Sequence, residues 1–349
     1  MIIKEALSWA DKKLKSKSLS PALDAEVLLS HALKKSKEFL FANPDFELSK
    51  LQATSYKLLV RRRANHWPIA YLTGHKAFYG LDFKVTPDVL IPRPETELLV
   101  ERALQILQAT TYPPDIARRK SLRAGKLQAI IDIGTGSGAI IIAIAKKLAE
   151  YSGIVQNTPH LYATDISKQA LKVAKQNAKK HKVAERIRFE HCNLIENCKL
   201  EIENSLVLAN LPYLAPGQVS SNPDLKHEPR SALVAGPDGL KHYRNLFKQI
   251  EAICHSEGTP DVSSVAFRLR QSASSRRRVA KEEESQRSFV GVPPQDDNKF
   301  VLLLEHDPSQ KKKLESLTQK YFPKSKIRFH KDLSRRDRVM EVEMNIAGQ

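Results

Sequence analysis

The sequence predicts a doubly wound α/β sheet domain behind a small helical N-terminal domain. Three observations predict it. The stretch Ala129–Leu148, AIIDIGTGSGAIIIAIAKKL, brackets Asp132 with apolar residues, alternates Gly134, Gly136 and Gly138, then takes up a helical apolar pattern. That order is a buried strand, a glycine-rich turn and a helix, with a ligand expected at the carboxyl edge of the sheet. Apolar strands and amphipathic helices go on alternating from there to residue 344. Residues 1 to about 75, by contrast, show only helical spacing.

In the N-terminal part, Ile2, Ile3, Ala6, Leu7 and Trp9 recur at helix spacing, and Pro21 opens a second helix from its first turn. A third helix runs through Leu51 to Val60 into Arg61-Arg62-Arg63, which reads as a solvated helix end complementing the dipole. From Ile69 the period changes. AYLTGHKAFYGLDFKVTPDVLIP alternates around Gly74 and Gly80, the mark of a β-hairpin linker. The linker region, 76–97, ends in the stiff loop Ile91-Pro92-Arg93-Pro94-Glu95-Thr96-Glu97. Charged residues on a proline-stiffened loop point to ligand orientation or closure of a site. A helix continues to Leu107, and residues 111–126 are a polar, basic connection.

The sheet domain, 98–349, is expected to hold strands at 129–133, 160–165, 186–191, 205–210 and 299–305. Helices are expected at 137–149, 167–181, 239–254 and 309–321, and a last antiparallel pair at 326–331 and 338–344. Residues 256–298 are rich in Ser, Arg, Glu and Pro with little periodicity. Such a segment cannot bury enough apolar surface to offset its ordering entropy, so it reads as a disordered insert. It should enter at the amino edge of the sheet, with rapid amide exchange over 260–295.

At 349 residues the chain has room for about two domains. Its 57 Lys and Arg against 39 Asp and Glu leave a net charge of +18, which favours polyanionic partners at long range. No RNA-binding module accompanies that charge, so sequence-specific nucleic-acid binding is not expected. Cys192, Cys198 and Cys254 lack CxxC spacing and are odd in number. They read as reduced thiols, neither a disulfide frame nor a zinc site, and no metal is expected. The most apolar run holds Asp132 and three glycines and is too short to span a bilayer. With no signal peptide apparent, a cytoplasmic, monomeric protein off the membrane is expected.

The glycine turn alone leaves the ligand open. Gly134, Gly136 and Ala139 formally satisfy G-x-G-x-x-G/A, so a dinucleotide fits it too. Downstream residues narrow the choice. HLYATDI contains Asp165 at a strand end, placed to accept hydrogen bonds from ribose hydroxyls, and SLVLANLPY ends in Asn210-Leu211-Pro212-Tyr213. Hydride transfer has no need of an amide and an aromatic ring there. Methyl transfer to a planar nitrogen does.

With those residues in view, the chain resembles the release factor glutamine methyltransferases (the HemK/PrmC family) over nearly everything except 111–126, 152–159 and 256–298. The markers are Pro68-Ile-Ala-Tyr-Leu-Thr-Gly74, Phe83 through Glu97, Asp132-Ile-Gly-Thr-Gly-Ser-Gly138, Asn210-Leu-Pro-Tyr213, Glu228-Pro-Arg230 and Gly236-Pro-Asp-Gly-Leu240. Each is weak alone; their order and spacing together are specific. The resemblance implies a helical substrate-recognition domain and a class I (Rossmann-like) methyltransferase domain using S-adenosylmethionine. It also implies an activity, methylation of the side-chain amide nitrogen of the glutamine in the Gly-Gly-Gln motif of peptide chain release factors.

Carried onto this chain, Gly134, Thr135, Gly136, Ser137 and Gly138 would pass beneath the methionine part of the cofactor. Asp165 would hold its ribose, Asn193 and Leu194 would lie beside its adenine, and Asn210 would also border it. Asn210 and Tyr213 would be the catalytic pair, holding the glutamine together with Leu211 and Pro212. Arg93 and Glu95, in the stretch Pro92 to Glu97, would help bind the substrate and close the pocket.

The residue types suit that chemistry. A primary amide nitrogen is a poor nucleophile because its lone pair is delocalised. The side-chain carbonyl of Asn210 and the main-chain carbonyl of residue 211 can each accept one of its N–H bonds, fixing the nitrogen. The family usually has proline where this chain has Leu211. The carbonyl survives that change and rigidity is lost. Two other substrates would use the same site: a base nitrogen of RNA or DNA, and a glutamine of a ribosomal protein. A non-catalytic binding module on the same fold is the reading from another class, and Asp165, Asn210 and Tyr213 together speak against it.

Overall fold

The computed structural model describes residues 1–111, 127–150, 158–198, 200, 204–255 and 299–345. The N-terminal part is α1 (Ile3–Leu14), α2 (Pro21–Leu33), α3 (Lys37–Ala42), α4 (Lys50–Ala64) and α5 (Ile69–Thr73). At the start of α4, Ser49 Oγ accepts the Gln52 N–H at 3.2 Å while Gln52 Oε1 accepts the Ser49 N–H at 3.0 Å, a reciprocal capping box. Ile3, Leu14, Leu28, Leu29, Tyr56 and Val60 are buried in one apolar core. Arg63 departs from the solvated helix end predicted for the arginine run. Its Nε donates to Asp24 Oδ2 at 2.6 Å, and both side chains are only 13% exposed. The acceptor comes from α2, so no local pattern announces it.

The predicted hairpin also starts later than its sequence pattern. Ile69 and Leu72, three residues apart, both turn into the N-terminal core, which favours a helical turn over period two. That helix stops at Gly74 (φ +78°), and β1 (His75–Phe78) and β2 (Leu81–Lys84) follow. The two-residue turn between them has positive φ at both Tyr79 and Gly80, the geometry that matches strand twist. Tyr79 N–H donates to Glu97 Oε1 at 2.7 Å, joining the hairpin to the proline loop.

The second part is one seven-stranded sheet in the order β5-β4-β3-β6-β7-β9-β8. β3 (Ala129–Ile133), β4 (His160–Asp165), β5 (Ile187–His191), β6 (Ser205–Ala209) and β7 (Lys299–Glu305) run parallel. β8 (Lys326–Lys331) and β9 (Asp337–Asn345) close the sheet antiparallel, as predicted. β3 and β6 are buried at every residue, which is why they read as continuous apolar runs rather than alternation. α6 (Glu97–Thr111), α7 (Ala139–Glu150) and α8 (Lys168–Lys180) cover the sheet together with α10 (Lys241–His255) and α11 (Lys311–Tyr321), while the short α9 (Pro216–Ser220) lies in the segment after Tyr213. Ile130, Leu206 and Leu208 point into one core with α6 and α7, while Ile131, Val207 and Leu302 point into the other with α10 and α11.

Glu341, 1% exposed, ties β9 to α6 through a two-bond pair with Arg102 and also receives Arg328 and His330. Burial opposes its ionisation, yet His330 and Arg102 hold its carboxyl down at about 2. Asn177 on α8 is a second clasp. It accepts Lys84 N–H at 2.8 Å and donates to the carbonyls of Lys84 and Ser137, so hairpin, helix and glycine turn share one side chain. The insert expected at 256–298, with its exchange behaviour, lies outside the described residues, as does most of 111–126. β7, which follows the insert, is parallel to β6 and so begins at the edge away from Asn210. Among the described residues no helix is long and apolar enough to cross a membrane.

Candidate active site

The carboxyl ends of β3 to β7 bring together most of the residues singled out in the sequence. After β3, Gly134, Gly136 and Gly138 take φ of +70°, +55° and +81°. Gly138 is the tightest. A Cβ there would stand 2.7 Å from Ile142 Cδ1 and 3.2 Å from Ala174 Cβ, so only glycine lets α7 start against α8. At Gly136 a Cβ would meet nothing nearer than the Gly134 carbonyl at 4.0 Å, which leaves the space above the turn open. Thr135 and Ser137 are buried between them. Thr135 locks the turn by donating its hydroxyl to Asp132 Oδ2 at 2.7 Å and its N–H to the Thr164 carbonyl at 2.9 Å. Burial pushes the Asp132 carboxyl up to about 7.

Asp165 ends β4 and lies directly beside the glycine turn. Its carboxylate accepts the N–H of Gly136 at 2.9 Å and of Ser167 at 2.8 Å; burial raises its pKa and these N–H groups oppose the rise. Beyond β5, Asn193 is exposed and Leu194 is buried, with the Leu194 carbonyl accepting Thr164 Oγ1 at 2.9 Å. Cys192 and Cys198, on either side of this pair, are disulfide-bonded, which corrects the expectation of reduced thiols. Leu194 and Asn197 at φ +59° and +57° fold the chain back and bring the two Cα atoms to 6.2 Å, within bridging range.

The tip of β6 is built differently. Asn210 Nδ2 donates to Thr96 Oγ1 at 3.0 Å. Among the described residues, Asn210 Oδ1 and the Leu211 carbonyl accept no hydrogen bond. Tyr213 Oη donates to Glu305 Oε1 at 3.3 Å, and its carbonyl accepts Gln310 Nε2 at 2.8 Å. Burial raises the Tyr213 phenol well above its ordinary value, so it stays a donor. Gly239 closes on the same carbonyl so tightly that any Cβ would collide with it, which explains the second glycine of Gly236–Leu240. Leu211 is 3% exposed, and its Cδ2 lies 3.2 Å from where a Gly134 Cβ would stand, so the two parts of the edge touch through this leucine.

Glu305 ends β7 with 1% exposure, and one carboxylate oxygen, Oε2, is without a hydrogen-bond partner among the described residues. Burial pushes its carboxyl up to about 7, against the opposing pull of Thr96, Arg338 and Tyr213. Glu95 stands half-buried beside Thr96 in the turn Pro94–Thr96. Arg93 is directed to Glu228, which also accepts the Ile91 N–H at 3.2 Å. Buried Glu228 thus staples the proline loop to the segment after Tyr213. That segment in turn meets the helical domain. The Trp67 ring stacks on His227 at 4.4 Å, and His227 Nε2 donates to the Asn65 carbonyl at 2.9 Å.

Thr96 and Glu305 were not among the site residues predicted from sequence. A signal existed for each. Thr96 sits inside the proline loop already singled out, and Glu305 is a lone charge ending the apolar strand FVLLLE, as Asp165 ends β4.

Comparison with known proteins agrees with this architecture. Residues 5–74 match the family described as the PrmC N-terminal domain, and residues 125–214 match a methyltransferase domain. The release factor glutamine methyltransferase of Coxiella burnetii is 42% identical over 254 residues, covering 72% of this chain and 81% of that protein. The enzyme of the same name from Moorella thermoacetica is 37% identical over 248 residues, covering 70% and 79%. That from Nitratidesulfovibrio vulgaris is 34% identical over 241 residues, covering 68% and 74%. With a helical domain, a sheet whose carboxyl edge carries both a glycine turn and an Asn-Leu-Pro-Tyr tip, and relatives at this level, the chain belongs to the release factor glutamine methyltransferase family.

Proposed function

We propose that the protein transfers a methyl group from S-adenosylmethionine to the side-chain amide nitrogen of a glutamine in a peptide chain release factor, the Gly-Gly-Gln glutamine. One observation carries the reading. Asn210 Oδ1 and the Leu211 carbonyl are adjacent acceptors at the tip of β6 that accept no hydrogen bond among the described residues, and a primary amide has two N–H donors to give them. A nitrogen held by both N–H bonds cannot rotate, and its electron density rises as those bonds are accepted. Tyr213 offers a flat face to the planar amide and helps to exclude water. Orientation of this kind contributes on the order of 7–11 kcal/mol when the geometry is close to that of attack. The nitrogen sheds a proton only as its new bond forms, so no strong base is needed.

The cofactor, when bound, supplies an electrophilic sulfonium methyl. The residues present fit it: the space above Gly136 admits a ligand against the main chain, and the Asp165 carboxylate suits a ribose diol. Gly134 to Gly138, Asp165, Asn193 and Leu194 would hold it. On this reading, residues 1–75 dock the release factor, Arg93 and Glu95 border its glutamine, and the protein works in the cytoplasm. The link from the helical domain to the tip of β6 through Trp67 and His227 supports the docking role.

The net charge of +18 favours one rival substrate, a base nitrogen of RNA or DNA. Purified release factor, naked RNA and naked DNA are to be incubated with labelled cofactor, followed by mass spectrometry of the protein. A methyl group on the Gly-Gly-Gln glutamine and no label on nucleic acid is the expected result. Label on nucleic acid alone overturns the reading.

A further inference from the structure

Part of the net charge of +18 is gathered on a surface that the methyl-transfer site does not use. α8 and the two residues after it, 168–182, carry six lysines and no Asp or Glu. We propose that the exposed face of α8, through Lys168, Lys172, Lys175 and Lys179, is a docking surface for the phosphate backbone of nucleic acid, separate from the site of methyl transfer. The inference goes beyond the amide-substrate reading and does not depend on it.

The four lysines are spaced four, three and four positions apart, the pattern of a single helix face. At the rise of an α-helix they span about 16 Å. One strand of a duplex presents about five phosphates over that length. The opposite face is anchored: Val173, Ala174 and Ala178 are buried, and Asn177 holds both the hairpin and the glycine turn. All four lysines are exposed, and among the described residues none pairs with a carboxylate. Neighbouring acids are engaged elsewhere. Asp82 receives Lys180 at 2.5 Å and His75 at 3.0 Å, Glu190 receives Arg188 at 2.6 Å, and Asp165 accepts two backbone N–H groups. With Leu171 and His191, the row borders a groove of about 500 Å³. Lysines four apart on a helix repel one another, and a bound polyanion removes that repulsion.

The chemistry of this face suits phosphate better than an acidic protein. Protein interfaces centre on desolvated apolar or aromatic anchors and are depleted in lysine. α8 exposes no large apolar residue. It also carries no arginine, whose planar fork pairs with carboxylates, and offers only point charges. No aromatic platform for a base stands beside the row: Phe189 is half-buried, with Lys175 Nζ 5.9 Å from its ring centre. Such a surface meets phosphates and reads no sequence. Its place in the fold keeps it apart from the chemistry. α8 packs on β4 and β5, whereas Asn210 ends β6 on the far side of β3. Nucleic acid lying along α8 is therefore held without being presented to the tip of β6.

The test measures binding of the full chain to short RNA and DNA duplexes of equal length, and to an acidic peptide, by fluorescence anisotropy over a range of salt. One variant combines Lys168→Gln, Lys172→Gln, Lys175→Gln and Lys179→Gln. A control of equal charge combines Lys12→Gln, Lys13→Gln, Lys15→Gln and Lys17→Gln, exposed lysines at the end of α1. Glutamine matches lysine in helix propensity, and urea unfolding checks that both variants are folded. On the DNA duplex the α8 variant should lose affinity on the order of 100-fold at low salt, and its plot of log K against log salt should be shallower by about 3 units. The control should lose less than about one unit of slope. The duplex bound more tightly names the source, RNA or DNA. Equal losses in the two variants, binding of neither duplex, or tighter binding of the acidic peptide overturns the proposal. With labelled cofactor the bound nucleic acid should stay unlabelled and the α8 variant should methylate release factor at the wild-type rate; label on nucleic acid that the α8 variant abolishes overturns the separation of the two sites. A wild-type enzyme that labels no release factor counts against the amide-substrate reading alone.

Discussion

The carboxyl edge of the sheet is assembled by two different methods. At the β3–β4 end, the glycine turn and Asp165 form a subsite made largely of main chain: Gly136 N–H meets a carboxylate only 29 positions away, and Thr135 meets Asp132 three positions away. At the β6–β7 end, the side chains are held from far along the chain. Asn210 is held by a partner 114 positions distant and Tyr213 by one 92 positions distant. Both ends contain a fully buried carboxyl pushed up to about 7, Asp132 and Glu305. Asp132 takes its hydrogen bond from the adjoining turn, whereas the partners of Glu305 come from other elements. A subsite of main chain can be damaged only by deforming the backbone. A subsite of side chains can lose its chemistry while the fold stays whole.

The sharpest way to break this contrast is Asn210→Ala. Methyl transfer should fall on the order of 10²–10³-fold, as when one stabilising polar group is removed from an active site. Calorimetry should find cofactor affinity within about twofold of wild type, because a truncation at the tip of β6 leaves the turn after β3 untouched. Equal loss of both would mean that the two ends are not separable.

Gly138→Ala attacks the other end. A Cβ at φ +81°, 2.7 Å from Ile142, should cost about 3 kcal/mol in urea unfolding, from combined strain and overpacking. Gly136→Ala, with open space around it, should cost only about 1 kcal/mol, from its positive φ alone. Similar costs for the two alanines would remove the packing argument.

Glu305→Gln tests what the side-chain site costs the fold. The native carboxyl titrates near 7 against an ordinary 4.5, so the folded state binds more protons between those values. Stability therefore declines as pH rises from about 4.5 to 7 and levels off above. Glutamine lacks this penalty. The variant should be more stable than wild type at pH 8 by about 1–2 kcal/mol, with no such gain at pH 4. A loss at pH 8 would show that the ionised carboxylate is well compensated where it sits.

Leu211→Pro is the mildest change. The Leu211 N–H makes no turn or loop hydrogen bond among the described residues, so proline removes none there, and turnover should hold or rise by up to about threefold. Stability should fall by about 1 kcal/mol, since the leucine is buried against Gly134. A collapse in turnover would assign the leucine a role in the reaction itself.

Much of this molecule was determined by sequence alone. The strands at 129–133, 160–165 and 299–305 occur where their apolar runs predict them, and Gly134 to Gly138, Asp165 and Asn210 to Tyr213 stand at one edge because strand–turn–helix order puts them there. These are local signals: a period, a glycine at positive φ, a polar residue at a strand's end. Tertiary structure alone decided the pairings. It sent Arg63 to Asp24 and Arg93 to Glu228, closed Cys192 on Cys198, and turned Ile69–Thr73 into a helix against a core. It also placed Thr96 behind Asn210 and Glu305 behind Tyr213. Hydrophobic period tells which face of an element is buried, but not which polar group waits across the interface. A glutamate ending an apolar strand is written the same way whether it meets water or a tyrosine from beyond the neighbouring strand.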